Sequence, residues 1–408
     1  MNCRNCKSPL IKVFADLQTC PPSNAMVKPN ELNFPETYFP LKVFVCDSCW
    51  LVQVDEIEKA EAIFNADYTY FSSYSTSWLA HAKKYTDYMV ERFGYNQSSL
   101  VVEIASNDGY LLQYFKEMGI PVLGVEPTAN TAQAATEKGI TSIIDFFGTR
   151  LASEKLAAKA DLILGNNVLA HVPDINDFVT GVKIALKPNG VNTFEFPHLC
   201  KLIEFNQFDT IYHEHFSYLS FSSLQYVFEK HGLEFFDVQE LPTHGGSLRI
   251  FTKHKEDKSK TIEPTVQLLL DREKALGVTS LAYYEGFQDK LNKVKNDFLT
   301  FLLNAKTEGK SVVGYGAAAK GNTLLNYCGI KGDDLITYVM DASPFKQNKY
   351  LPGSRIPVYS PEMIKESKPD YVIIFPWNLS EEISKQLSFI ADWGGKFVIA
   401  VPELKIFG

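Results

Sequence analysis

Short apolar segments with the composition of β-strands alternate with segments of helical spacing through the middle of this chain. The strand-like segments are residues 100–105, 122–126, 140–144, 160–167 and 190–196, with a further one at 247–253. Such alternation is typical of a parallel sheet covered by helices on both faces. A second, shorter series runs from SVVGYGA to FVIAVPEL, and a helical pattern over about 257–309 joins the two. The sequence therefore predicts an α/β chain with two Rossmann-like units.

Four of the seven cysteines form two CxxC pairs near the start of the chain, Cys3 with Cys6 and Cys46 with Cys49. Four thiolates are the ligand set of a tetrahedral structural zinc ion. The segment between the pairs is rich in proline and poor in apolar residues, and metal binding can replace a core in such a segment. Redox pairs are the alternative. We predict a closed zinc site in an N-terminal module.

Composition excludes several classes of protein. The net charge is −8 over 408 residues, which opposes binding to nucleic acid. There is no apolar run of the roughly 18 residues that a transmembrane helix needs, and the N-terminus lacks an apolar signal region. We expect a cytoplasmic protein without nucleic-acid or membrane partners. We also expect a monomer, because contacts between domains use both faces of the chain.

The first α/β unit carries an acidic turn after its first strand, in VVEIASNDGYLL. Glu126 ends the next strand, where a carboxylate can bind the ribose hydroxyls of an adenosine. Glu103 and Asp108 would repel a pyrophosphate and suit an ammonium group, which favours S-adenosylmethionine over NAD. A purely structural acidic turn is the alternative. The predicted cofactor contacts are Glu103, Ala105, Asn107, Gly109, Tyr110, Leu111, Glu126, Pro127, Asn166 and Asn167.

Five ordered motifs, behind the CxxC pairs, give the chain a specific resemblance. They are EIASNDGYLLQYF, GNNVLAHVPDINDF, FDTIYHEHFSYLS, HGGSLRIF and VVGYGAAAKGNTLLN. Together they resemble the sugar C-methyltransferases that act on nucleoside-diphosphate-linked 4-keto-6-deoxy sugars, over essentially the whole chain. The resemblance implies a zinc module (1–65), an S-adenosylmethionine-binding catalytic domain (66–255), and a linking helix with a C-terminal Rossmann-like substrate domain (256–408). Ala105 departs from the glycine usual in the cofactor turn, and we expect a tighter turn with binding retained.

The YHEH motif supplies groups for methylation at a sugar carbon. Such a reaction needs a base at C3 and a hydrogen-bond donor or cation for the enolate oxygen at C4. His215 has the residue type of a base near neutral pH, Glu214 can orient an imidazole, and Tyr212 can donate a hydrogen bond to the enolate. The resemblance implies the same roles for Tyr212, Glu214 and His215, and adds His171 and Tyr70 or Tyr74 as pocket residues.

Two alternative interpretations of this motif stay open. Its tyrosines and histidines can hydrogen-bond to one another at the boundary between two domains. His213 has no catalytic role in any of these interpretations. They can also bind a metal ion, although HEH lacks the i, i+4 helical spacing of paired zinc-binding histidines.

Two further motifs are candidates for substrate contacts. HGGSLR combines a flexible turn with a guanidinium, and GYGAAAKGN resembles a phosphate-binding turn before a helix. The alternatives are a hairpin turn with a surface arginine and a turn that serves only close packing. The predicted substrate contacts are His244, Gly245, Gly246, Arg249, Tyr315, Ala318, Lys320, Asn322 and Asp341.

The leading hypothesis is therefore an S-adenosylmethionine-dependent C3-methyltransferase whose substrate is a nucleotide-linked 4-keto-6-deoxy sugar. An NAD-linked nucleotide-sugar dehydrogenase or epimerase is a second interpretation, which the lack of a full GxGxxG motif opposes. A non-catalytic adaptor built on the zinc module is a third, and it would leave YHEH without a role.

Overall fold

The computed structural model describes residues 1–57, 59, 64 and 70–408, and these form three β-sheets surrounded by helices. The predicted boundary between residues 65 and 66 lies outside the described residues. The predicted α/β architecture, with an N-terminal module and Rossmann-like units, is confirmed. In the part of the chain that the structure describes, no helix is long and apolar enough to cross a membrane.

The first sheet builds the N-terminal module. Its strands are β1 (Lys12–Cys20), β2 (Phe39–Val45), β3 (Val52–Val54) and β9 (Ser217–Tyr218), in that order and all antiparallel. The fourth strand comes from the middle of the chain, directly after the YHEH motif. The module is thus completed by the segment that carries the candidate base.

The central sheet has seven described strands in the order β10-β11-β8-β7-β4-β5-β6. They are β4 (Val101–Ile104), β5 (Val122–Val125), β6 (Ser142–Ile143), β7 (Ala160–Asn166), β8 (Leu186–Pro197), β10 (Leu233–Leu241) and β11 (Ser247–His254). Strands β4 to β8 are parallel, as the sequence predicts, but β11 runs antiparallel to both β8 and β10. The short 242–246 connection forces this direction, since a parallel pair needs a long crossover.

The C-terminal sheet has the described order β14-β13-β12-β15-β16-β17. Its strands are β12 (Val312–Tyr315), β13 (Val339–Met340), β14 (Val358–Tyr359), β15 (Tyr371–Ile374), β16 (Lys396–Ile399) and β17 (Lys405–Phe407). All pairs are parallel except β16 with β17. The segment after β15 contacts the segment before the YHEH motif, where the Trp377 indole N–H donates to Asp209.

Helices pack on these sheets. They are α1 (Thr76–Phe93), α2 (Leu112–Glu117), α3 (Ala129–Glu137), α4 (Thr149–Leu151), α5 (Ile175–Ala185), α6 (Leu199–Glu204), α7 (Phe221–Lys230), α8 (Pro264–Leu276), α9 (Phe287–Thr307), α10 (Ala319–Tyr327), α11 (Met363–Ser367) and α12 (Ser380–Gln386). The predicted linking helix is two helices, α8 and α9. Gly277 ends α8 in a left-handed conformation that favours glycine, so the helical pattern breaks there.

The three units share buried surfaces. The ring of Phe14 in β1 stacks on that of Phe287 in α9 at 4.5 Å, and the same apolar cluster continues into β12 and β15. Burial of this kind stabilises the arrangement by roughly 25 cal/mol for each Å² of apolar surface removed from water. The N-terminal module is therefore fixed against both other units.

Candidate active site

The four CxxC cysteines come together although 39 residues separate the pairs. Their sulfurs all lie within 4.8 Å of one another, with 3.5 Å between Cys3 and Cys49 and between Cys6 and Cys46. Tetrahedral zinc with bonds of about 2.3 Å places its sulfurs at similar separations. The residues therefore fit a structural zinc ion with no open coordination position.

The turn after β4 has the tight backbone that the sequence predicts. Ala105, Asn107 and Gly109 have φ of 56°, 50° and 73°, all in the left-handed region. A side chain on Gly109 would collide with Ile140, since an added Cβ would lie only 2.5 Å from its Cδ1. Gly109 thus lets the turn pack closely against Ile140. Because the turn follows β4, it lies at the carboxyl edge of the sheet, where ligands of open α/β sheets bind.

Some buried polar atoms around this turn have no hydrogen-bond partner among the described residues. They are one carboxylate oxygen of Asp108 and the hydroxyl of Ser106. Burial raises the pKa of Glu103 well above its ordinary value, and the neighbouring charges of Asp108 and Glu126 raise it further. Because unpartnered buried polar atoms are costly, these groups fit a polar and cationic ligand such as S-adenosylmethionine.

Glu126 lies beside the turn at the end of β5. Its carboxylate accepts hydrogen bonds from the backbone N–H groups of Asn107 and Thr128, both at 2.9 Å. Asn166, at the end of β7, donates to the Tyr110 hydroxyl at 3.2 Å. These contacts bring Glu126, Asn107, Tyr110 and Asn166 to one sheet edge. Pro127 follows Glu126, and Leu111 is buried at the start of α2.

His215 has a defined tautomer. Its Nδ1 lies 2.8 Å from the Thr210 carbonyl oxygen, which can only accept, so Nδ1 carries the hydrogen. The Tyr212 hydroxyl lies 2.8 Å from Nε2 and therefore donates to it when the ring is neutral. Burial lowers the pKa of His215 well below 6.5, and the nearby His171 and Lys320 lower it further. The ring is thus neutral near pH 7, with its basic lone pair on Nε2.

His171 packs against His215. The ring centroids are 4.6 Å apart in an edge-to-face arrangement. Burial lowers the pKa of His171 to about 4, and a hydrogen bond to the backbone of Glu214 partly opposes this shift. Both imidazoles are therefore neutral, and His171 contacts the YHEH loop directly.

Glu214 bonds to the N-terminal module. Its Oε1 accepts a hydrogen bond of 2.6 Å from Asn24 of the N-terminal module, while other groups occupy both ring nitrogens of His215. His213 is buried and contacts the Pro40 carbonyl at 3.1 Å. The loop is therefore anchored to the N-terminal module at His213 and at Glu214.

Lys320 brings a cation from the C-terminal unit. Its ammonium lies 4.4 Å from the centroid of the Trp377 ring and donates to Asn378 Oδ1 at 3.1 Å. The Trp377 indole N–H donates to Asp209 at 2.7 Å. Burial lowers the pKa of Lys320, and the charge of Asp209 opposes that shift. The positive charge also lowers the pKa of His215 and of His244, after the effect of burial.

Comparison with known proteins decides the family. The chain is 37% identical over 374 residues to C-methyltransferase NovU of Streptomyces niveus, which covers 91% of this chain and 88% of that protein. The “zinc binding domain” family matches residues 3–64, “Methyltransferase domain” residues 78–238, and “C-methyltransferase C-terminal domain” residues 242–402. This chain belongs to the C-methyltransferase family. It is an S-adenosylmethionine-dependent methyltransferase with an N-terminal zinc-binding domain.

More distant relatives match smaller parts of this C-methyltransferase. Ubiquinone biosynthesis O-methyltransferase of Bradyrhizobium sp. (strain ORS 278) is 32% identical over 94 residues, 22% of this chain and 37% of that protein. The crystal structure of the PH0226 protein from Pyrococcus horikoshii OT3 covers 46% of this chain and 95% of that one, with 14% identity and a TM-score of 0.39. These similarities are too low to add to the assignment of the methyltransferase.

The HGGSLR motif of the C-methyltransferase forms a strained turn at the same sheet edge. His244 has φ of 53°, and its Nε2 lies 2.9 Å from the Asn167 amide nitrogen. Gly245 and Gly246 have φ of 84° and 120°, which favour glycine. Burial, and then the charge of Lys320, lower the pKa of His244 to about 4. The turn therefore adds a third neutral imidazole near Lys320.

Arg249 is inside the protein and not on its surface. Its guanidinium donates to Glu195 at 2.7 Å and lies 3.2 Å from His81, which also contacts Glu195 at 2.9 Å. This buried ion pair excludes the surface-arginine alternative for the motif. Sequence reasoning missed Glu195 and His81, since neither stands in a motif, although Glu195 ends a predicted strand.

The remaining C-terminal candidates of the methyltransferase surround the turn after β12. Asp341 accepts hydrogen bonds of 2.8 Å from the N–H groups of Ala317 and Ser343. Asn322 is buried, and its carbonyl and side-chain oxygens accept from Asn326. Tyr315 is buried at the end of β12, and Ala318 precedes α10. Their contacts with substrate stay predictions.

The segment that holds Tyr70 and Tyr74 covers the cofactor turn. Asn107 accepts from the Ser72 N–H at 2.9 Å and donates to the Tyr70 carbonyl at 3.1 Å. The side chains of Tyr70 and Tyr74 are 51% and 61% exposed. In this structure the backbone of the segment, more than its tyrosine rings, makes the contact with the site.

Proposed function

We propose that this C-methyltransferase adds a methyl group to C3 of a nucleoside-diphosphate-linked 4-keto-6-deoxy sugar. The observation that carries the proposal is the neutral His215, whose Nδ1–H is fixed by Thr210 and whose Nε2 lone pair receives the Tyr212 hydroxyl. Transfer of a methyl group to carbon needs a carbanion or enolate, and a ring carbon beside a ketone provides one when a base removes its proton. The five motifs and the C-methyltransferase relative support the same reaction.

Tyr212 and His215 act together as the base, so Tyr212 relays a proton to His215 where the sequence predicts that it donates to the enolate oxygen. The Tyr212 oxygen takes the C3 proton while the hydroxyl hydrogen of Tyr212 moves to His215 Nε2, so that one proton leaves carbon and one arrives on the imidazole. The electron pair of the C–H bond forms the C3–C4 double bond, and the C4 carbonyl oxygen becomes the enolate oxygen. Hydrogen bonding between Thr210 and Nδ1–H then stabilises the imidazolium.

Lys320 supplies positive charge near His215. Its side chain is half-buried, contacts one amide and one aromatic face, and acts through space on His215 and His244. A cation in a low-dielectric site stabilises developing negative charge more strongly than it would in water. We assign it to the enolate oxygen. S-adenosylmethionine, when bound at the turn after β4, supplies an electrophilic methyl group on a sulfonium.

The proposed partners follow from this chemistry. The substrate is the nucleotide-linked sugar, and the C-terminal turn after β12 is the proposed site for its nucleotide part. The prediction of a monomer stays a prediction, as does the role of each substrate-contact residue named above. The zinc ion has a structural role, because its four cysteines leave no position for a substrate.

The deciding experiment is a mass-spectrometric assay in deuterium oxide. S-adenosylmethionine and freshly prepared 4-keto-6-deoxy nucleotide sugars are supplied to the wild type and to His215→Gln, with His213→Gln as the matched control. We expect one added methyl group with the wild type and the control, and a loss of about 10² to 10⁴ in kcat for His215→Gln. Exchange of the C3 proton above the enzyme-free rate should disappear with it.

Two results would contradict the proposal. No methyl transfer to any such sugar, despite binding of S-adenosylmethionine, would move the search to other acceptors. Undiminished C3 exchange in His215→Gln would assign the base to another residue.

A further inference from the structure

Arg4 lies between the first two zinc ligands, yet its side chain contacts the segments that follow His171 and His215. It is buried, with 8% of its surface exposed. Nη2 donates to the Val54 carbonyl at 2.5 Å, and Nη1 donates to the Pro173 carbonyl at 3.0 Å. The guanidinium carbon lies 5.3 Å from the centroid of the Phe216 ring. Pro173 stands two residues after His171, and Phe216 directly follows His215.

Backbone pairing provides a second link between the zinc module and the same loop. The Val54 N–H donates to the Phe216 carbonyl at 3.1 Å, and β3 pairs with β9 through Gln53 and Ser217. The Arg4 N–H donates to the Gln53 side chain at 2.9 Å, and Gln53 Nε2 lies 3.3 Å from Cys3 Sγ. One network therefore joins a zinc ligand, Arg4 and the segment after the base.

Electrostatics favours an arginine at this position. Four thiolates around a Zn²⁺ ion leave two net negative charges, and a cation one residue away stabilises them. Arginine also presents several N–H groups in a fixed planar fork, so it can bind two carbonyl groups at once in a way that lysine cannot. The two carbonyls that it binds belong to separate segments, one next to His171 and one at the partner strand of the YHEH loop.

We infer that Arg4 is a positioning residue for His171 and His215, through which the zinc module sets the distance and orientation of the two imidazoles. The inference rests on the proposed function for the role of His215. The rings lie 4.6 Å apart and come from different loops, so their relative position depends on what holds both loops. A displacement of about 1 Å at a reacting group can cost 10²-fold in rate.

The test compares Arg4→Met and Arg4→Lys with Arg355→Met in the full chain. Arg355 is a matched control, since it also donates to carbonyls of the N-terminal module, those of Leu32 and Phe34, but from the C-terminal unit. We expect zinc content and S-adenosylmethionine affinity to stay at wild-type values in all three. We expect both Arg4 variants to lose roughly 10-fold or more in kcat with little change in KM.

A second measurement does not depend on activity. With ¹³C-labelled histidine, the eight imidazoles give separate NMR signals, which single substitutions assign. We expect the signals of His171 and His215 to move in both Arg4 variants, and that of His254, which contacts the Leu186 carbonyl, to stay. The spectra are recorded without substrate, so they test Arg4 even if the proposed sugar reaction fails.

Three results would overturn the inference. Unmoved His171 and His215 signals would show that Arg4 does not position them. If the wild type methylates the sugar, an unchanged kcat in Arg4→Met would show that Arg4 does not position the groups that carry out the reaction. Loss of zinc in both Arg4 variants would make Arg4 part of the metal site alone.

Discussion

At the scale of single residues, Ala105 is where the cofactor turn carries backbone strain. Its φ of 56° lies in the left-handed region, which costs a residue with a Cβ about 1 kcal/mol or more. Glycine adopts this conformation freely but loses more entropy on folding. We expect Ala105→Gly to raise the free energy of unfolding by up to about 1 kcal/mol and to keep S-adenosylmethionine affinity. Urea unfolding and calorimetric titration measure the two quantities.

Ala105→Val is the matched comparison. A β-branched residue is a genuine outlier at positive φ, so we expect a loss of more than about 1 kcal/mol. If the glycine variant were the less stable of the two, backbone strain at residue 105 would not be what limits the stability of the turn.

At the scale of elements, Glu273 of α8 fixes the start of α7. Its carboxylate is fully buried and accepts from the N–H groups of Phe221 and Ser222, at 2.8 and 2.7 Å, and contacts His198 Nε2 at 2.7 Å. We expect Glu273→Gln to lower the free energy of unfolding by about 3 kcal/mol. The two N–H groups and His198 would lose a charged hydrogen-bond acceptor. Glu263→Gln, at the exposed start of α8, is the control.

The effect of Glu273 has a defined pH dependence. Burial alone opposes its ionisation, but hydrogen bonds from His198 and Ser222 lower its pKa below 4.5. A carboxylate with a lowered folded-state pKa stabilises the fold above its unfolded pKa, and the contribution is lost as the pH falls through the folded pKa. The difference between the wild type and Glu273→Gln should therefore shrink below pH 4.5. A constant difference between pH 7 and pH 3.5 in urea unfolding would contradict this.

At the scale of the whole molecule, the C-terminal unit contributes to the low pKa of the base through the charge of Lys320. Burial lowers the pKa of His215 below 6.5, with His171 and Lys320 adding to it, so the acidic limb of kcat/KM should lie below pH 6.5 in the wild type. Without the positive charge of Lys320, protonation of His215 costs less. We therefore expect Lys320→Met to move this limb to higher pH and to lower kcat.

The measurement is a pH profile of kcat/KM, with Lys331→Met as control. Lys331 is a lysine of the same unit that contacts Tyr38 and the Gly353 carbonyl. An unmoved limb in Lys320→Met would show that Lys320 does not act on the base.

The sequence by itself determined the alternation of strands and helices in the two α/β units, the zinc ligands and the tight turn after β4. These features depend on residues close together in the chain: strand and helix periodicity, CxxC pairs and an acidic turn after a strand. The motifs also placed Tyr212, Glu214 and His215 in one loop. Local pattern was sufficient for the periodicities, for each CxxC pair and for the turn, because each is formed within a few residues, whereas the fold brings the two CxxC pairs together across 39 residues.

Only the tertiary structure decided what those residues contact. It paired Glu214 with Asn24, Arg249 with Glu195, and the Nε2 of His215 with Tyr212 through hydrogen bonds. It also made β9 a strand of the zinc module and brought Lys320 across from the C-terminal unit. These partners lie far apart in the chain, and no periodicity encodes which buried charges meet; packing of three units around one seam selects them.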